Sequence, residues 1–293
     1  MGRLFMGLDS STQSLSAILI DYDSGKVVHE ESLNFDAALP DYGTENGVLP
    51  ASDPTVAHSP PLMWVEALDL LFGRLKENVD LGSVLAVSGS GQQHGSVYMN
   101  DEAPAALAGL DSGDSLVEGL LGIFSRSTSP IWMDSSTSEE CEEIMEALGG
   151  MQATAEATGS AAFERFTGPQ IRKFYKTDHE GYEATAHVAL VSSFLASVVA
   201  GEIAPIDHGD GAGMNLMDIE RKEWHPDALR ATAPGLEGRL PDLVPSRAVL
   251  GKPSPYFAKK YGLNPEARVL AWSGDNPNSL GGGRLVKPVM VAI

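Results

Sequence analysis

The first 35 residues constrain the fold most. Three runs rich in β-forming residues follow one another: RLFMGLD (Arg3–Asp9), SLSAILIDYD (Ser14–Asp23) and KVVHEESLNF (Lys26–Phe35). The connections between them are four and two residues long, and the second is part of a DSG turn signal. Parallel neighbours need a crossover of about a dozen residues or more, so chain this tightly joined predicts an antiparallel meander. Next comes SPPLMWVEALDLLFGRL, where Ser59 is placed to cap a helix whose first turn holds Pro60 or Pro61. Trp64, Leu68, Leu71 and Leu75 share one face of that helix. A further strand is expected at SVLAVSGSG (Ser83–Gly91), which runs into glycines. The order strand, strand, strand, helix, strand makes this an α/β protein with a mixed sheet.

The middle of the chain reads as more helical. SSTSEECEEIMEALGG has capping-box spacing at Ser136 and Glu139, an apolar face of Cys141, Ile144, Met145 and Leu148, and a stop at Gly149 and Gly150. Cys141, the one cysteine, is therefore expected to be a core residue and not a nucleophile. The acidic, Gly- and Ala-rich stretch Asp101–Gly122 is the expected surface insertion. RVLAWSGD (Arg268–Asp275) reads as a late strand that delivers Asp275 to a loop.

Charge narrows the function classes. Forty acidic against twenty basic side chains give a formal charge of −20, which repels phosphate backbones and anionic lipid. Nucleic-acid and membrane partners are not expected. VALVSSFLASVVA (Val188–Ala200) is the longest apolar run, thirteen residues, too short to cross a bilayer and read as a buried helix. With no signal-peptide core ahead of Asp9 and no possible internal disulfide, a cytoplasmic protein is expected.

Several chemistries are missing from the sequence. It has no Walker phosphate loop, no G-x-S-x-G and no H-E-x-x-H, and its seven histidines are scattered. Three stretches remain. GLDSSTQS (Gly7–Ser14) sets an acid at a strand end, followed by hydroxyls and an amide. Such a turn presents N–H groups and hydroxyls to a phosphate, and Asp9 could hold a hydrated magnesium ion, but the same residues are also ordinary turn chemistry. SGSGQQHGSVY (Ser88–Tyr98) offers Gln92, Gln93 and His94 beside glycines. Amides and neutral imidazole both donate and accept, as a polyhydroxylated ligand requires, although a turn with a satisfied histidine has the same pattern. SGDNPNSLGGG supplies Asp275 to take a hydroxyl proton and Asn276 to orient the same ligand; an Asx-turn or helix cap is the alternative.

Taken together, GLDSSTQS, DYGTENGV, SPPLMWVEALD, SGSGQQHGSVY, SPIWMDSST, FERFTGPQI, LVSSF, PIDHGDGAGMNL and GDNPNSL resemble the FGGY family of carbohydrate kinases, and within it the animal and plant branch that acts on xylulose. The resemblance implies an actin-like ATPase (ribonuclease H-like) fold of two lobes, with the antiparallel meander in a mixed sheet flanked by helices. It implies transfer of the γ-phosphoryl of ATP to the 5-hydroxyl of D-xylulose, with Mg2+ as cofactor. By position, Asp275 matches the family's catalytic base. His94, Arg165 and Asn276 match its sugar contacts, with Gln93 beside them. Asp9, Ser11, Thr12 and Gln13 match its first phosphate-binding loop, with Asp9 as the metal residue acting through water. Ser11 stands where that loop usually has glycine, a departure that animal-type members share.

The family's next segment, a strand ending in Ser-Leu-Gly-Thr-Ser, is expected to begin where VMVAI stops. Residues 1–293 are accordingly expected to be the N-terminal sugar-binding lobe, with the ATP lobe absent and the fragment inactive alone. The expected partners are a ketose and ATP, and a homodimer is compatible with the reading. Two alternatives stay open: a kinase for ribulose or another polyol, and a catalytically silent sugar-binding module.

Overall fold

The computed structural model describes residues 2–282. Strands β1 (Leu4–Ser10), β2 (Ser14–Asp21) and β3 (Val27–Asn34) form the expected meander, each pair antiparallel. Helix α1 (Pro61–Asn78) then leads into β4 (Val84–Gly91), which returns parallel to β1. After it come β5 (Ser96–Met99), α2 (Ser138–Ala147), α3 (Thr167–Thr177), β6 (His187–Leu190), α4 (Val191–Ala200) and the single turn α5 (His208–Gly211). The described chain ends with β7 (Val249–Gly251), α6 (Pro255–Tyr261), β8 (Arg268–Leu270), β9 (Ser273–Gly274) and α7 (Asp275–Gly282).

The main sheet has seven strands in the order β7-β8-β4-β1-β2-β3, with β9 extending the β8 side of β4. Alternation along β1 and β2 sends Leu4, Met6, Leu8, Leu15, Ala17 and Leu19 to the covered face. There they meet Trp64, Leu68, Leu71 and Leu75 of α1, all fully buried, together with residues of α4 and α6. A second apolar cluster lies outside the sheet, built on Tyr98, Phe174, Tyr182, Val188 and Leu190. It joins α3 to the antiparallel β5–β6 pair.

Several local expectations differ from the structure, and tertiary partners explain why. Ser59 does not cap α1; it lies in a short strand and its hydroxyl donates to Gly47 O at 2.6 Å. Pro60 holds the cap position instead. Ser136 is likewise not the cap of α2. Its hydroxyl donates to Asp134 Oδ1, and Thr137 occupies the cap position while donating to Glu164 O. Cys141 and Ile144 do face the core, while Met145 and Leu148 are half-buried. The run Val188–Ala200 is not one helix but a strand followed by a helix, broken at Leu190/Val191. Residues 101–122 form two short helices, and Leu107, Leu116 and Leu120 pack fully buried into the main core beside α1.

Candidate active site

β4 ends at Gly91, and its end lies against the start of α4: a Cβ on Gly91 would sit 2.6 Å from the Ser192 backbone nitrogen. The chain then turns at Gln93 and His94. His94 Nδ1 lies 2.8 Å from Gly213 O, and a carbonyl only accepts, so Nδ1 carries the proton. Its Nε2 is then an acceptor with no protein partner among the described residues. Burial lowers the His94 pKa to about 4; the Gly213 bond opposes that shift and the Arg165 charge adds to it. The ring rests on Phe166, with centroids 4.7 Å apart.

β9 delivers the opposite wall. Asp275 is not in a loop, as the sequence suggested, but is the first residue of α7. Its Oδ1 accepts from the backbone N–H of Asn276 (3.0 Å) and of Gln93 (3.3 Å), while the side chain stays exposed. It is therefore not a buried cap. Asn276 Nδ2 donates to Gln93 Oε1 at 2.8 Å. Arg165, just ahead of α3, is exposed, and no protein acceptor among the described residues takes its guanidinium N–H groups.

Gln93, His94, Arg165, Asp275 and Asn276 meet in one cavity of about 260 Å³, with Trp132 as its sixth wall. Sequence reasoning gave Trp132 no role, although it lies in the quoted SPIWMDSST. It remains 42% exposed and its Nε1 donates to Thr12 Oγ1 at 2.9 Å. The segment that carries it is held by Asp134, which accepts from Ala57 N, Ser136 N and Gln170 Nε2 at 2.8–3.0 Å. His58, Ser136, Ala57 and Gln170 outweigh the cost of burial and hold the Asp134 carboxyl well below the usual range. A further residue that sequence reasoning passed over is Asp210, in DHGDG. It is buried behind Gln93, and that burial raises its pKa to about 7.

The four candidates of the first loop are not equivalent. Asp9 lines a second cavity, of about 320 Å³, together with Gly7, Ser16, Ser88, Ser90 and Asn278. Ser90 Oγ donates to Asp9 Oδ1, leaving Oδ2 without a protein partner among the described residues. Ser11 is turned away to Ser14, bonding its carbonyl (3.2 Å) and sharing a hydrogen bond with its hydroxyl (2.9 Å). Thr12 faces Trp132, and the Gln13 backbone carbonyl accepts from Phe35 N. The loop is pinned from outside by Gly47, where a left-handed φ of 79° and a Cβ position 1.9 Å from Thr12 O both require glycine.

No group of three or more His, Cys, Asp or Glu among the described residues is arranged to hold a metal ion. A single carboxylate with one open oxygen suits a hydrated magnesium ion, which keeps several waters and takes its other ligands from phosphate. No helix among the described residues is long and apolar enough to cross a membrane.

Comparison with known proteins follows the same lines. Residues 128–282 match the profile of the FGGY family of carbohydrate kinases, N-terminal domain. Xylulose kinase 2 of Arabidopsis thaliana is 50% identical over 294 residues, covering 99% of this chain and 52% of that protein. The xylulose kinase of Mus musculus is 46% identical over 284 residues, covering 97% and 51%. The chain thus spans about half the length of the curated relatives it matches. The crystal structure of xylulose kinase from Rhodospirillum rubrum superposes with a TM-score of 0.78 at 19% identity, over 98% of this chain and 52% of that one. It shares the fold: a mixed sheet with flanking helices, of the actin-like kind.

Proposed function

The chain belongs to the FGGY family of carbohydrate kinases, and we propose that it is the sugar-binding lobe of a kinase that phosphorylates the 5-hydroxyl of D-xylulose with ATP. One observation carries the reading: five polar side chains from three separate parts of the chain converge on a single small cavity, with an unbonded carboxylate oxygen among them. Only Trp132 contributes an apolar wall, so the cavity suits a hydroxyl-rich ligand.

The residues divide the work by donor and acceptor type. Arg165 donates and His94 Nε2 accepts, while Asn276 and Gln93 orient each other and the ligand edge. Asp275 hydrogen-bonds the attacking hydroxyl and takes its proton as the new phosphorus–oxygen bond forms. The Gln93 and Asn276 N–H groups hold its Oδ1, leaving Oδ2 for that proton. Phosphoryl transfer asks little covalent help from protein, so fixing the hydroxyl in line supplies most of this lobe's contribution. When bound, magnesium offsets charge on the phosphate oxygens, and Asp9 is the residue here that would hold it through water. The nucleotide's remaining contacts are assigned to the half of the relatives' length that the chain does not span.

Calorimetric titration of the chain with D-xylulose, and with D-ribulose for comparison, tests the sugar site. Xylulose is expected to bind, and more tightly than ribulose. In the protein that also has the relatives' second half, Asp275→Asn should cut turnover by at least ~100-fold and leave ketose affinity within a few-fold. No ketose binding by the parent, or near-normal turnover of the variant, overturns the reading.

A further inference from the structure

Gln93 stands where three hydrogen bonds cross. Its Nε2 donates to Asp210 Oδ1 (3.4 Å), its Oε1 accepts from Asn276 Nδ2 (2.8 Å), and its backbone N–H donates to Asp275 Oδ1 (3.3 Å). A side-chain amide has one donating and one accepting end, so the end turned to Asp210 decides which end meets Asn276. Asp210 is 2% exposed, and Ser192 Oγ donates to its other oxygen. An ionised carboxylate accepts only, so Gln93 must offer it N–H. Gln93 Oε1 then faces Asn276 and draws in that residue's NH2, leaving Asn276 Oδ1 with no protein donor among the described residues. The amide has little freedom elsewhere. A Cβ on Gly274 would lie 2.3 Å from Gln93 Cγ, and one on Gly213 would lie 3.3 Å from Gln93 Nε2.

We propose that Asp210 is a positioning residue that sets the donor–acceptor polarity of the sugar cavity, acting through Gln93 so that Asn276 presents its carbonyl oxygen to the ligand. The proposal rests on the reading that this cavity takes a pentulose. The cavity then offers acceptors from both walls, Asn276 Oδ1 and the Asp275 carboxylate on one and His94 Nε2 on the other, and these select hydroxyl groups. A keto oxygen cannot donate, so the ketone end is left to the Arg165 guanidinium. Asp210 itself touches no ligand: it lines none of the cavity and lies behind Gln93.

A double-mutant cycle on D-xylulose affinity, measured by calorimetry at pH 8, above the raised Asp210 pKa of about 7, tests this. Asp210→Leu should weaken binding about tenfold when Asn276 is present, and less than twofold in an Asn276→Ala background. Equal losses in both backgrounds, or no loss in a folded Asp210→Leu protein, overturn the proposal. If Asp210→Leu does not fold, Asp210→Asn decides, because an amide at 210 can turn either its N–H or its carbonyl to Gln93 and no longer fixes which end Gln93 presents to Asn276. Binding should weaken at least about threefold with Asn276 present and less than about 1.5-fold in the Asn276→Ala background. Equal losses in both backgrounds, or no loss in either, overturn the assignment. A parent chain that binds no pentulose sinks the functional reading; a parent that binds without coupling sinks the polarity proposal alone.

Discussion

Asp210 is buried and His94 half-buried, each beside Gln93, yet desolvation moves their stability contributions in opposite directions with pH. For His94 the folded value of about 4 lies below the ordinary 6.5, so between those values the unfolded chain binds more protons. Its contribution to stability is present above 6.5 and is lost as pH falls toward 4. For Asp210 the folded value of about 7 lies above the ordinary 3.8, so the folded chain binds more protons in that window. Stability is lost there as pH rises toward 7. Between pH 4 and 6.5 the two slopes oppose, each at most ~1.4 kcal/mol per pH unit. Urea unfolding at pH 5, 6 and 6.5 should show His94→Gln losing stability with rising pH more steeply than the parent. Asp210→Asn should gain stability with rising pH relative to the parent; parallel pH profiles for all three proteins would contradict the assignment. Of these two residues only His94 was legible in the sequence, because it follows a glycine-rich strand end and can both donate and accept. Asp210 was not, because an acid's depth is set by distant packing, here Ser192 and Gln93, and leaves no trace in spacing.

Elements were legible where a face is buried along its whole length. The meander and the α1 stripe of Trp64, Leu68, Leu71 and Leu75 follow from periodicity, since hydrophobic burial enforces it. Helix starts were misread because Ser59 and Ser136 spend their hydroxyls on Gly47 and Asp134, partners that local spacing does not reveal. The pairing of β8 and β9 with β4 was also hidden, since a parallel neighbour whose partners, such as Arg268 and Ala86, are far apart in the chain carries no turn signal. Two glycines at these junctions separate stability from function. At Gly91 a Cβ meets backbone, the Ser192 nitrogen at 2.6 Å, which cannot move without displacing α4. Gly91→Ala should therefore cost about 1–3 kcal/mol in chemical denaturation. At Gly274 the obstacle is a side chain and not backbone: Gln93 Cγ, 2.3 Å from the added Cβ, has to be pushed out of its place. Gly274→Ala should cost less stability but lower D-xylulose affinity at least fivefold, because a displaced Gln93 side chain releases Asn276. Unchanged affinity in that variant would detach Gln93 from the ligand site.

At the scale of the whole chain, the excess of twenty acidic side chains was fully legible, and it makes a claim that no single contact makes. Packed into a domain with a radius of gyration of about 19 Å, those charges repel far more than in an unfolded coil of about 60 Å. Salt has two effects of opposite sign. It weakens surface ion pairs such as Lys252–Glu266 and Arg74–Glu31, each worth about 0–1 kcal/mol. It also screens the net repulsion, which acts between all the unpaired acids over distances beyond the Debye length of about 10 Å at 0.1 M. Repulsion among the unpaired acids outweighs the attraction within those few pairs, so the melting temperature should rise as sodium chloride goes from 10 to 200 mM. Ketose affinity should not follow it, because the ligand is neutral and the bonds that orient the cavity's side chains, His94 to Gly213 and Asn276 to Gln93, are direct hydrogen bonds of 2.8 Å. A nucleotide carries several negative charges, so its approach to the same surface should improve with screening. Melting scans and D-xylulose titrations across that salt series distinguish the two behaviours. A ketose affinity that tracks ionic strength as the melting temperature does would mean that the sugar cavity is governed by the global field and not by the polarity of its own side chains.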